Sequence, residues 1–271
     1  MKQKTIITAI LIALAICLTA CNGSPTQTEP ADTLPALPTS MATLPPDITV
    51  PETTEPTLPP ETEVPHSPLY IEDLVVEDVI RYFNEVCLDA EFVNGGNASL
   101  LQKWTEPIYY KLNGDPTAKD LEVLNTFLTW LNTIEGFPGI LEAKDSQNPN
   151  LQIHFCTQKD MLSLMGDNFT GMDGAVTFWY WDNEIYDAII CYRTDLNQHV
   201  RNSVILEEIY NGLGPVQDTG LRTDSIIYSG YSEPQQLTQI DKLILQLLYH
   251  PDIKCGMDAV QCEAVIRTLY Y

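Results

Sequence analysis

Residues 22–68 hold twelve of the chain's nineteen prolines, many Thr and Glu, no Lys or Arg and almost no aromatic residue. Such a segment cannot bury enough apolar surface to offset the entropy of ordering it, and its prolines and like charges stiffen and extend it. It reads as a disordered tether, so whatever folds must come from residues 69–271. That remainder has the length that one hydrophobic core can serve. A single domain is therefore expected, and no internal repeat is visible in it.

The first residues carry Lys2 and Lys4, an apolar run from Ile6 to Leu18, and Leu18-Thr19-Ala20 directly before Cys21. A bilayer-spanning helix needs about 20 apolar residues, whereas this run is shorter and ends at small residues, as a cleaved secretion signal does. The tetrapeptide resembles a lipobox. That resemblance implies cleavage before Cys21 and acylation of its thiol. Residues 1–20 are then the signal and residues 21–68 the lipidated tether, and the expected location is the extracytoplasmic face of the cell membrane. The expected partners are the membrane, through the lipid on Cys21, and an extracytoplasmic protein, peptide or glycan. The net charge of −23 at pH 7 repels phosphate backbones, which argues against nucleic acid, and favours cations or basic peptides.

Of the seven cysteines, Cys87, Cys156, Cys191, Cys255 and Cys262 remain once Cys17 leaves with the signal and Cys21 is acylated. An odd number leaves at least one thiol free, and no spacing forms a CxxC pair. Cys255 and Cys262 flank a short turn and are the disulfide candidate. Cys87 and Cys191 lie within apolar patterns and read as buried.

Along the domain, Asp73 can cap a helix whose apolar positions Val76, Val79, Ile80, Phe83, Cys87 and Ala90 recur at helical spacing. Gly95-Gly96-Asn97 breaks the chain. Residues 107–112 read as a strand closed by a turn at Asn113-Gly114-Asp115, and Thr117 with Asp120 opens a second helix in the manner of a capping box. Residues 151–156 alternate as a half-buried strand that places His154 on one face with Cys156; two such ligands do not make a metal site. Strands at 175–181 and 185–192 flank Asp182-Asn183, a hairpin turn. Trp179-Tyr180-Trp181 within them could stack on sugars or simply pack as strand aromatics. Helices follow at about 197–212, from Thr238-Asp241 to Pro251, and from about 258 to the end. His250 is expected to interact with the C-terminal end of its helix, where a cation is favoured. Helices and strands interleave without a regular strand-helix repeat, so the fold class is α+β with a mixed sheet and several packed helices.

The chemistry concentrates in Leu206-Glu207-Glu208-Ile209-Tyr210-Asn211-Gly212-Leu213-Gly214. On a helix Glu207 and Asn211 stand one turn apart and point the same way, with Glu208 rotated about 100° from them. This is the spacing of the zincin helix His-Glu-x-x-His, in which two imidazoles hold zinc and the glutamate activates water. Here Glu207 and Asn211 occupy the two ligand positions and Glu208 the base position. With Gln217 or Asp218 they offer only oxygen, which suits calcium or magnesium better than zinc. No EF-hand loop is present to complete such a site, so no metal and no cofactor is expected.

Trp104-Thr105-Glu106-Pro107-Ile108, the strand pair, Glu207-Glu208 through Gly214, Asp224-Ser225-Ile226, Leu237-Thr238-Gln239-Ile240-Asp241, Leu248-Tyr249-His250-Pro251 and Gly256-Met257 follow one another in the order of a known family. The domain resembles domain-of-unknown-function family 2927, a group of bacterial secreted proteins and lipoproteins. Members typically show Glu-Glu-x-x-Gln ahead of Leu-Gly, from which Asn211 departs. The resemblance implies a single zincin-like domain, with the tract from Tyr249 to Met257 resembling the part of those enzymes beneath the metal. It implies no activity. Two readings of the helix follow: a binding or structural module on a degenerate zincin-like fold, and an atypical hydrolase of peptide or cell-wall bonds. In the second, Glu208 acts as general base while Glu207 and Asn211 position water or a hard cation. Alternatively, one glutamate of the pair simply accepts backbone hydrogen bonds and braces the core.

Overall fold

The computed structural model describes residues 67–88, 100–230 and 233–270, all within one compact unit. The signal, Cys21, the tether, Ala90 and Gly95-Gly96-Asn97 lie outside the described residues. Among the described residues there are six α-helices, a short 3-10 turn at Asp167–Phe169 and one six-stranded sheet. The helices are α1 (Val76–Leu88), α2 (Ala118–Leu131), α3 (Gln158–Met165), α4 (Gln198–Asn211), α5 (Gln239–Tyr249) and α6 (Ala259–Tyr270). The strands are β1 (Lys103–Trp104), β2 (Ile108–Gly114), β3 (Ile140–Glu142), β4 (Leu151–Cys156), β5 (Gly174–Trp181) and β6 (Glu184–Arg193).

The sheet is mixed, as expected, but parallel pairing dominates it. β2 lies parallel to β3 and β4, and β6 parallel to β4 and β1; only β5 runs antiparallel, along β6. β5 takes one edge of β6. The other edge is shared end to end by β1, opposite Glu184 and Ile185, and by β4, opposite 188–193. The hairpin turn at Asp182-Asn183 falls where the sequence puts it, with φ of 53° and 64°. Those two positive values are what a tight turn matched to strand twist requires, and Asp and Asn tolerate them.

Alternation decides the two faces. Leu151, Ile153 and Phe155 of β4, with Ala188, Ile190 and Tyr192 of β6, face the main core. Cys156, Ile189 and Cys191 turn to the opposite side, where α3 contributes Met161 to a small separate cluster with Phe169 and Ala175. Neither α3 nor the two shortest strands, β1 and β3, carries enough periodic signal to be read from sequence. α3 buries only Met161.

Helix α4 has the inverse problem. Ten of its fourteen residues are buried, Arg201 to Leu206 and Glu208 to Asn211 among them, so no single apolar stripe marks it. A helix covered on most sides need not be amphipathic. Its first turns are tied to α2 by a buried ion pair between Arg201 and Asp120, whose other oxygen accepts from Gln198 Nε2 at 2.7 Å. The same Asp120 completes the capping box with Thr117. Asp241 plays a parallel double part in α5. It caps the helix with Thr238 and, fully buried, accepts from Ser225 Oγ at 2.7 Å and from the Ile226 N–H. Ser225 in turn accepts from Tyr82 Oη at 2.6 Å, which ties α1 to α5 through one hydroxyl.

Two local expectations are corrected. α1 begins at Val76, and Asp73 does not cap it but takes a left-handed φ of 65° in the preceding turn. The His250 ring accepts from the Asp252 N–H at 3.2 Å instead of addressing its helix. The end of α5 is served by the buried Lys103, whose ammonium donates to the Leu248 carbonyl at 2.7 Å and the Ile253 carbonyl at 2.5 Å.

Asp241→Ala should leave Ser225, Thr238 and the Ile226 N–H without their acceptor, at a cost of roughly 3–5 kcal/mol. Urea denaturation of the full chain should show this as a lowered midpoint, with a smaller loss for Asp241→Asn.

Candidate functional site

Asn197 opens α4, its side chain accepting from the His199 and Val200 N–H groups at 3.0 and 3.1 Å. Gly212 closes it. The segment beyond is pinned from two sides. Trp104 Nε1 donates to the Gly212 carbonyl at 2.9 Å, Tyr249 Oη donates to the Leu213 carbonyl at 2.7 Å, and Gly214 runs against the backbone of Gln102. A Cβ on Gly214 would stand 2.6 Å from the Gln102 carbonyl oxygen, and its φ of 128° is open only to glycine. These contacts take up carbonyls that a helix C-terminus leaves unpaired. They also fix the rotation of α4, and with it the direction of Glu207, Glu208 and Asn211.

Glu208 points at the start of β5. A Cβ on Gly174 would lie 2.7 Å from Glu208 Cγ and 2.8 Å from its Oε1, so glycine there is what admits the side chain. Glu208 is 8% exposed, and burial, with Glu207 and Asp218 nearby, pushes its carboxyl far above the ordinary range. Glu207 is half-buried. Its carboxyl is pushed up to about 8, first by burial and then by the charges of Asp218 and Asp173. Asn211, also 8% exposed, keeps its Oδ1 buried without a hydrogen-bond partner. Among the described residues no Lys, Arg or His forms an ion pair with Glu207 or Glu208. Asp173 is held by Arg193 at 3.1 Å, whereas at Glu207 and Glu208 protons take the place of cations.

Among the described residues no imidazole reaches this group. His154 lies on the outer face of β4 beside Asn113, 3.4 Å away, and burial lowers its pKa. His199 pairs with Glu233 at 3.1 Å, and His250 sits at the far end of α5. His154 shares its face with Cys156, as expected, and Cys156 packs in the cluster that holds Cys191, where their interaction lowers the pKa of the Cys156 thiol and raises that of Cys191. Among the described residues no three His, Cys, Asp or Glu side chains converge as a metal-holding group.

The disulfide candidate is corrected. Cys255 and Cys262 are both free thiols. Cys255 turns to the Lys103 carbonyl at 3.7 Å, whereas Cys262, on the inner face of α6, is fully buried in the core. The six residues between them span a turn and the first part of a helix, and the two thiols end in different surroundings.

Of the residues singled out in sequence, Glu207, Glu208, Asn211 and Asp218 do come together. Asp173 and Gly174 complete the region and carry no recognisable motif. The one available hint is a glycine opening an otherwise apolar strand, which often marks close approach by another element.

The family model for a protein of unknown function, DUF2927, matches residues 76–268. The match covers nearly all of the folded region, and the chain belongs to this family. No curated protein and no solved structure matches the chain.

Glu207 binds its proton more tightly when folded, with a pKa of about 8 against an ordinary value near 4.5. The folded state thus holds more protons than the unfolded state between these limits, and stability falls as pH rises through the window. Denaturation of the full chain should show a loss of about 1–4 kcal/mol between pH 5 and pH 8. Glu207→Gln should flatten that slope.

Proposed function

We propose that this protein is a lipid-anchored extracytoplasmic binding module, built on a zincin-like frame whose active helix has lost its metal chemistry. The observation that carries this reading is the packing of Glu208 under Gly174, with no cation paired to it. A general base must be ionised near the working pH and reach the proton it removes. A carboxyl buried to 8% exposure, beside a second carboxyl that is itself protonated at neutral pH, fails the first requirement.

Zinc is disfavoured on separate grounds. The two ligand positions hold a carboxyl and an amide, and catalytic zinc sites in peptidases rest on imidazole nitrogens. Calcium or magnesium would need about six oxygens, more than Glu207, Asn211 and Asp218 supply. The rival reading, a hydrolase using Glu208, would require this carboxyl to lose its proton and to meet a substrate-bound water. Metal analysis of the purified full chain should find no stoichiometric zinc, and peptides and peptidoglycan should survive incubation with it. One zinc per chain, or cleavage that disappears in Glu208→Gln, would reverse the assignment.

Anchoring rests on Leu18-Thr19-Ala20-Cys21 and on the tether behind it. Among the described residues no helix is long and apolar enough to cross a membrane, so lipid on Cys21 is the proposed attachment. Cys21→Ser should move the chain from the membrane fraction to the soluble fraction of expressing bacteria and remove the mass of the acyl groups. Retention in the membrane fraction would count against the lipid.

A further inference from the structure

The distal half of the β5–β6 hairpin carries a surface unlike the rest of the domain. Trp181 is 67% exposed and Tyr186 55% exposed, with Trp179 half-buried beside them. The register explains how they come to one side. Trp179 stands opposite Asp187, Tyr180 opposite Ile185 and Trp181 opposite Glu184, with a break in register between Trp179 and Tyr180 that leaves Tyr186 as the extra residue. Ile185 is buried in the main core. Strand alternation then puts Trp179, Trp181, Glu184 and Asp187 on the outer face. The bulge re-aims the chain at Tyr186, within the same exposed stretch.

The charges on this surface have no counterions of their own. From 174 to 192 the sequence contains Asp182, Glu184 and Asp187 and no Lys or Arg. Among the described residues, Arg193, Lys103 and Lys254, which adjoin it in chain or in the sheet and the turn beside it, are engaged elsewhere. Arg193 pairs with Asp173 and Asp195. Lys103 stands across the ladder from Glu184, yet its ammonium is turned to the Leu248 and Ile253 carbonyls, and Lys254 donates to the Pro251 carbonyl. The indole N–H groups of Trp179 and Trp181 and the hydroxyls of Tyr180 and Tyr186 can donate hydrogen bonds, while the Asn183 amide rests against Gly256. With no Lys or Arg among residues 174–192, Asp182, Glu184 and Asp187 repel an anion, and a neutral sugar leaves their charge uncompensated. An ammonium or guanidinium group would find aromatic faces for cation–π contact, and the exposed Glu184 carboxylate and the half-buried Asp187 carboxylate for ion pairing.

We propose that this face is a docking surface for a basic peptide segment, whose Lys or Arg side chains lie over Trp181, Tyr186 and Trp179 and pair with Glu184 and Asp187. The net charge of −23 would steer such a partner inward. The site is separate from the α4 carboxyls and does not depend on whether they are catalytic.

Calorimetric titration of the full chain with pentalysine at physiological salt tests this. Saturable binding is expected, weakened at least about fivefold by Trp181→Ala, the loss of a desolvated cation–π contact. Glu184→Gln with Asp187→Asn should weaken it similarly. Asp145→Asn, an exposed charge in the turn after β3 at the opposite edge of the sheet, should leave it unchanged. Thermal melting checks that the variants fold, and Tyr186→Ala serves if Trp181→Ala does not. No binding of pentalysine overturns the proposal, as does equal binding by all variants, which would mean only general attraction to an acidic chain. Saturable binding of a neutral chito-oligosaccharide that needs Trp181, without peptide binding, also overturns it in favour of a glycan. None of these outcomes bears on the metal and cleavage measurements, so the two readings fail separately.

Discussion

Burial of α4 on nearly all sides is the constraint that organises the domain. A helix so enclosed must have its polar groups matched by protein, because water cannot reach them. Arg201 is met by Asp120 from α2, the Ile205 carbonyl by Tyr192 Oη of β6, and the carbonyls of Gly212 and Leu213 by Trp104 and Tyr249. Tyr210 Oη reaches across to the Asp241 carbonyl in α5. Together these bonds join α4 and the residues after it to α2, β1, β6 and α5. The helix therefore has one rotation and one height in which its groups are satisfied.

Glu207, Glu208, Asn211 and the Nε of Arg201 are exceptions to that matching. The carboxyls meet other acids and the amide oxygen meets nothing. Such groups persist only because the surrounding contacts are strong enough to hold them, and the molecule limits their cost by keeping protons on the carboxyls. Unmatched groups of this kind are where function is usually sought. Here the same burial that raises the pKa of Glu208 also takes away its service as a base. That burial is the ground on which a binding role is proposed for the region over a hydrolytic one.

The segments that carry the family resemblance meet in space. Trp104 and Tyr249 brace the residues after α4, while Ser225 and Asp241 join the irregular stretch to α5. Their spacing in sequence reflects a packing arrangement around one helix. The aromatic hairpin end stands apart from it, on the outer face of the sheet, and owes its character to side chains that the core does not need.

Short-range features were legible in the sequence because their causes are local. The capping residues Thr117, Asp120, Thr238 and Asp241 act within one helical turn, Asp182-Asn183 accepts positive φ without help, and the alternation of 151–156 states which side is apolar. The one-turn relation of Glu207 and Asn211 follows from helix geometry in the same way. What the tertiary structure alone decided depends on residues far apart in the chain. Strand order and the parallel pairing of β2, β4 and β6 are of this kind, as are the second role of Asp120 as partner to Arg201 and the turning of Lys103 to cap α5. So are the separation of the Cys255 and Cys262 thiols and the fit of Glu208 under Gly174. A cap or a turn is set by neighbours along the backbone, whereas burial and its effect on charge exist only once distant segments have excluded the water between them.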